Sequence, residues 1–235
     1  MIRSYAYTRI RARKGQLLGT REAALLLAAD HPLTALAALG GDPFEKLLRI
    51  YDVAIRIYRA PIFRALLGLH EIENVKLLWR VASRAGVPPA GAAASRRLWI
   101  PLGALATVTM PRDVLSLRGV VEHLAKTPYG EIAKRALAVT QSGEAIFDRW
   151  ARQRVLDEAA RLPAREALTR KMIESGRASR RAFAGSPFLL APAVAVVLLA
   201  EAEVRAVRAI VERDGDTSLD DVVLRIVAQS QMGGG

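Results

Sequence analysis

Leu69, Ile72, Val75, Trp79 and Ala82 recur three or four residues apart, the spacing that lines one face of an α-helix. No glycine or proline interrupts the block Leu69-His70-Glu71-Ile72-Glu73-Asn74-Val75-Lys76-Leu77-Leu78-Trp79-Arg80, so it predicts a packed helix. Glu73, Asn74, Leu77 and Arg80 fall on the opposite side, which mixes charge, an amide and a large aliphatic side chain. A second block, Leu199-Ala200-Glu201-Ala202-Glu203-Val204-Arg205-Ala206-Val207-Arg208-Ala209-Ile210, repeats the Glu-x-Glu followed by basic and aliphatic residues. Two related helices in one chain predict a duplicated helical unit. Their phases differ on a helical wheel: Glu71 lies nearer the apolar stripe in the first block, Glu203 in the second.

The rest of the chain favours the same class. It is 51% hydrophobic but only 6% aromatic, with Ala, Leu, Val and Arg in place of the Thr, Tyr and Phe that suit strands. No strand–helix alternation is visible, so the expected fold is all-α. Its 235 residues suffice for one helical domain, built as lobes of 1–86 with 186–232, and of 87–185. There is no cysteine, which excludes disulfides, thiolate catalysis and cysteine-based zinc sites. The formal net charge of +12 attracts phosphate backbones, anionic lipid heads or acidic proteins through long-range fields without choosing among them. An Arg- and Ala-rich chain is equally what a GC-rich coding sequence produces.

Taken in order, Ser4 to Leu18 predicts a first helix, broken by Gly19-Thr20, with Thr20 capping a short helix through Ala28. His31-Pro32 interrupts before Leu33 to Leu39. Asp42-Pro43-Phe44-Glu45 is a helix start with cap, first-turn proline and reciprocal acid. The helix it opens carries Leu47, Leu48, Tyr51, Ile55 and Tyr58 on one face. Ala60-Pro61 resets the chain into the key helix, and Gly86 to Gly91 ends that. Trp99 to Gly103 reads as an apolar connector, followed by short helices from Leu105 and Asp113. Thr127-Pro128-Tyr129-Gly130 opens another, and Ser142 caps a long one through Leu156. Ala182 to Ala200 carries no charge, but Gly185, Ser186, Pro187 and Pro192 break its first half, so it reads as a buried helix and not a membrane span. Gly215 ends the second Glu-x-Glu helix, Ser218 caps the last, and Gly233 to Gly235 reads as a disordered tail. The start of the chain runs into Arg9, Arg11, Arg13 and Lys14 and not into the apolar core of a signal peptide.

Motifs of catalysis are missing. The chain has no Gly-x-x-x-x-Gly-Lys loop, no Gly-x-Gly-x-x-Gly after a strand and no nucleophile–base pair. His31, His70 and His123 are far apart and lack metal-ligand spacing. Asp214-x-Asp216-x-Ser218 starts like a calcium loop, but Leu219 and Arg225 stand where that loop needs glycine and glutamate. No catalytic, cofactor or metal site is expected. Glu201, Arg205, Arg208 and Glu212 fall in a narrow stripe, either a solvated charge ladder or a rigid strip offered to a partner. Glu203, beside Val204, Val207, Ile210 and Val211, needs a cation, expected to be an arginine from a neighbouring helix. Asn74 is either solvated or bonded to an adjacent helix. From Arg149 to Arg181 basic residues outnumber the acids Asp157, Glu158, Glu166 and Glu174, which leaves a basic helical nucleic-acid-binding protein as the alternative reading.

Four pieces in order resemble the C subunit of archaeal and bacterial V-type (A-type) ATPases, called subunit d in eukaryotes. They are Tyr5 to Leu18, with its aromatic start, basic run and Leu-Leu; Glu71 to Arg80, similar to the family's repeated Glu-x-x-Asn-basic helix; Trp99 to Leu105 with Thr127 to Gly130; and Glu201 to Ile210. The chain departs from the family in being shorter, by about one lobe around Gly185 to Pro192. Glu174-Ser175-Gly176-Arg177 stands where the middle Glu-x-x-Asn helix belongs, and Val204 where the last Asn belongs. The resemblance implies a shortened form of a funnel-shaped helical fold. It implies a non-catalytic central-stalk adaptor on the cytoplasmic face of the membrane, between the stalk subunits (D and F type) and the proteolipid ring, in proton or sodium transport. It implies a partner surface at Arg9, Arg11, Arg13, Glu73, Asn74, Arg80, Glu201, Arg205 and Arg208. No small-molecule substrate or cofactor is implied.

Overall fold

Prolines punctuate this chain where a helix can accept them. Pro43, Pro61 and Pro192 each lie in the first turn of a helix, where the missing N–H would have had no intrahelical partner. The computed structural model describes residues 2–15, 17, 20–29, 35, 38, 43–83, 103–105, 116–139, 143–186 and 188–212. Among them every regular element is helical: α1 (Ile2–Lys14), α2 (Thr20–Leu27), α3 (Pro43–Tyr58), α4 (Pro61–Ser83), α5 (Leu117–Leu124), α6 (Gly130–Ala138), α7 (Gly143–Ala160), α8 (Ala167–Ser175), α9 (Arg181–Ala184) and α10 (Ala191–Glu212), with single 3₁₀ turns at Gly103–Leu105 and Ala164–Glu166. The fold is all-α and multi-helical, as the composition predicts. The expectations placed on His31, Leu33 to Leu39 (apart from Ala35 and Ala38, both helical), Asp42, Gly86 to Gly91, Trp99 to Leu102, Asp113, Ser142, Asp214 to Ser218 and the glycine tail lie outside the described residues.

The chain divides into two units, Met1–Phe63 with Ala159–Gly235, and Arg64–Glu158. The sequence places the borders later, near 86 and 186, because it looks for them at breakers. Instead both fall inside unbroken helices, after Phe63 in α4 and after Glu158 in α7. A helix can change its packing partners without any local signal in the backbone.

In the first unit α10 is the shared element, packed by α1, α2, α3, α8 and α9. Its first half, Ala191 to Ala200, is buried throughout, and Ala193 to Val197 have no exposed surface at all. Small alanines let the neighbouring helices approach, and valines fill the gaps. Pro192 starts this helix instead of breaking it, so the apolar segment and the second Glu-x-Glu block form one element. Among the described residues no helix is long and apolar enough to cross a membrane. The side chain of Glu166 stands at the entry of α10, where its carboxylate accepts from the Leu190 N–H at 3.0 and 3.1 Å and from the Thr169 hydroxyl at 2.6 Å. A negative group there satisfies a donor and complements the helix dipole.

Helix α1 stops at Lys14, earlier than predicted, since Gly15 turns the chain. Helix α3 buries Leu47, Ile50, Tyr51, Val53, Ala54 and Tyr58, while Leu48 and Ile55 of the predicted face are half-buried. Its outer face carries the pairs Arg49–Glu45 at 2.5 Å and Arg56–Asp52 at 2.6 Å, four residues apart. Such exposed pairs contribute about 0.2–0.5 kcal/mol each.

The second unit is built on Ile72, Val75, Leu78, Trp79 and Ala82 of α4, packed with α5, α6 and α7 residues such as Leu124, Tyr129, Ile132 and Phe147. The predicted stripe is thus the core seam, with Leu69 at its edge. Trp79 meets Phe147 edge-on at 5.3 Å, and Tyr129 meets Trp150 at 5.5 Å. Contacts of this geometry add about 0.5–1.5 kcal/mol each beyond the area buried. Ser116 caps α5 by accepting from the Gly119 N–H at 3.1 Å.

Candidate functional site

Each unit carries one Glu-x-Glu helix, and in each the first glutamate is buried. Glu71 on α4 accepts a hydrogen bond from the Tyr129 hydroxyl, just before α6, and another from the Ala104 N–H at 2.6 Å. Glu201 on α10 accepts from the Tyr51 hydroxyl of α3. Glu71 is 7% exposed and Glu201 5%, so each phenol donates to its carboxylate where water hardly reaches. The phenols respond alike. Burial, then the charge of Glu71, raises the Tyr129 pKa well above that of an ordinary tyrosine. Burial and the charge of Glu201 do the same to Tyr51, against a smaller opposing pull from Arg205. Both tyrosines are therefore held neutral, as donors.

The second glutamate of each motif takes a lysine. Glu73 and Asp148 of α7 grip Lys76 at 2.8 and 2.9 Å. Burial alone lowers the pKa of Lys76, but hydrogen bonds to both carboxylates outweigh it and the net shift is upward. One turn on, Arg80 donates to a single Glu144 oxygen from Nε at 2.8 Å and from NH2 at 2.6 Å. The hydrogen bond to Glu144 raises the Arg80 pKa further. The result is a polar seam between α4 and α7. In the first unit Glu203, 3% exposed, faces Lys46 of α3 at 3.5 Å. Lys46 is thus one cation that meets this carboxylate.

Among the described residues no three histidine, aspartate or glutamate side chains gather as a metal-ligand group. No family model, no curated protein and no solved structure matches this chain.

The residues expected on a partner surface scatter. Arg9, Arg11 and Arg205 are exposed, Arg13, Glu73 and Arg80 are half-buried, and the side chain of Arg208 lies outside the described ones. Asn74 is buried at 4% and Glu201 at 5%, so neither faces outward from the chain. Glu201 is not a rung of a solvated ladder, because the Tyr51 hydroxyl holds it in the core. The expected outward side of α4 is also largely enclosed: Asn74 and Leu77 are buried, and so is Lys76. Glu71 and Glu201 occupy equivalent roles, but the two motifs do differ in phase at the second glutamate, since Glu203 is buried and Glu73 half-buried.

Sequence reasoning missed Tyr51, Tyr129, Lys46, Glu144, Asp148 and Glu166 as partners. Thr127-Pro128-Tyr129-Gly130 marks a helix start, but nothing local says that its phenol reaches Glu71.

Gly103 positions the other donor to Glu71. Its φ of +53° suits glycine, and a Cβ there would collide with the Glu71 carboxylate. Gly103→Ala is expected to cost about 2 kcal/mol, combining left-handed backbone strain with displacement of that carboxylate. Chemical denaturation followed by circular dichroism checks this, with Gly15→Ala as the control at an open turn.

Proposed function

We propose that this chain is a non-catalytic helical adaptor, similar to the C (d) subunit of V-type and A-type rotary ATPases, in a shortened form. It sits peripherally on the cytoplasmic face and couples the central stalk to the proteolipid ring during proton or sodium transport. The observation that carries the reading is the repeated brace: one Glu-x-Glu helix per unit, its first carboxylate locked by a tyrosine and its second paired with a lysine. A repeated helical lobe is what the resemblance implies. A torque-passing part also needs stiff helices, and carboxylates satisfied inside the lobe act as braces and not as reagents.

Each unit then offers its own accessible members of the matching motifs, Glu73 and Arg80 on α4 in the second and Arg9, Arg11 and Arg205 in the first. Expressed with rotary-ATPase ring and stalk subunits, the chain should co-purify with both. Glu73→Ala with Arg80→Ala should abolish that association while leaving helicity near the starting value. Retained assembly in the double variant would remove α4 from the contact face, and no association of the unaltered chain would sink the adaptor itself.

A further inference from the structure

Three cations meet at one edge of the first unit. The Tyr7 hydroxyl, midway along α1, donates to the Phe183 carbonyl of α9 at 3.1 Å, which ties the two helices together. Lys14 Nζ then lies 4.5 Å from the centre of the Phe183 ring. Arg11, one turn back, donates to the Tyr7 hydroxyl at 3.4 Å. Burial, with the charges of Arg11 and Arg180 close by, lowers the Lys14 pKa, the sign of a crowded positive cluster. Arg177, Arg180 and Arg181 are all exposed on the same segment. Neither 2–15 nor 177–188 contains a single acidic residue.

We infer that this edge, Arg11, Lys14 and Arg180 extended by Arg177 and Arg181 and tipped by Phe188, docks on an anionic phospholipid surface. Phe188, a large apolar ring, is 53% exposed. Phe188 follows Phe183 by five positions, which span at most about 18 Å of chain, so it belongs to the same stretch as the cations. Cations for headgroups beside a ring for the acyl boundary is the chemistry of an interfacial anchor. A single-stranded nucleic acid would instead need a row of free aromatic faces on which successive bases stack. Here the Phe183 ring is covered by Lys14 and the Tyr7 hydroxyl is engaged. Such an edge would serve the adaptor proposed above, but it is set by these side chains alone.

The test is sedimentation of the full chain with vesicles of phosphatidylcholine, alone or mixed with phosphatidylserine. Binding is expected only to the mixed vesicles. The triple variant Arg11→Gln, Lys14→Gln, Arg180→Gln should weaken it roughly 100-fold, at about five-fold per cation near an anionic surface. Phe188→Ser should weaken it about ten-fold while leaving its salt dependence unchanged. A second triple variant, Arg135→Gln, Arg149→Gln, Arg152→Gln, removes the same charge from exposed positions in the other unit and should bind like the unaltered chain. Equal loss in both triples would assign binding to net charge and overturn the inference. So would equal partition onto neutral vesicles, or displacement from the mixed vesicles by single-stranded RNA at matched phosphate concentration. Thermal melts of each variant separate lost binding from lost folding.

Discussion

Replacing Glu71 with alanine is expected to lower stability by about 2–4 kcal/mol, because the buried Tyr129 hydroxyl and the part-buried Ala104 N–H lose their acceptor at once. The Tyr129 hydroxyl and the Ala104 N–H both point at this carboxylate, and α4, the 3₁₀ turn and the start of α6 meet there. Set against a total of about 5–15 kcal/mol for a typical domain, the loss is severe. For a chain of this length it should lower the melting temperature by about 10 °C. Tyr129→Phe removes only one of the two bonds and keeps the ring against Trp150, so it should cost less, about 1.5–3 kcal/mol. The double variant should then lose less than the sum of the singles, with a coupling of about 1–3 kcal/mol. Simple additivity would mean that phenol and carboxylate do not depend on each other. Glu201→Ala with Tyr51→Phe repeats the experiment in the other unit. A matching coupling there is what a duplicated brace requires.

The all-α class and the core seam of α4 were legible in the chain itself. Ile72, Val75, Trp79 and Ala82 stand at helical spacing, and all four are buried. Pro43 and Pro61 mark helix starts by a rule that needs only the backbone. The polar half of the site was not legible, for a physical reason. A helical wheel assigns polar side chains outward, yet Lys76 is buried because Glu73 and Asp148 neutralise it together, and one of those lies 72 residues away. Tyr51 and Glu201 are separated by 150 residues, and Tyr129 and Glu71 by 58. No local period encodes such pairs. The Glu-x-Glu repeat did signal that something recurs, and the wheel turned Glu71 and Glu203 inward, where both are buried, but it left Glu201 in an outward stripe. Charge inside a core is decided by what arrives from other helices, which a wheel for one helix does not contain.

The same braces make the protein sensitive to alkali. Tyr51 and Tyr129 both have folded pKa values raised above those of free tyrosine. Below about pH 10 folded and unfolded chains hold these two protons equally, and the phenol–carboxylate bonds contribute in full. Above about pH 10 the unfolded chain releases both protons while the folded chain keeps them, so the unfolded state binds fewer protons and stability falls as pH rises. Each tyrosine contributes a slope of about −1.4 kcal/mol per pH unit where only the unfolded chain has released its proton, and the pair about −2.7. Lys76, also raised, adds to the fall once lysines in the unfolded chain begin to titrate. Lys14 is lowered and acts in the opposite sense, but only below the usual lysine range, where its effect precedes the fall. Urea unfolding followed by circular dichroism across this range reads the slope directly. Tyr51→Phe and Tyr129→Phe should each flatten it by about one proton's worth, and tyrosinate absorbance should rise for these two rings only as the helices melt. A slope unchanged by either substitution would mean that the phenols titrate freely in the folded chain, and the glutamates would then have no hold on them.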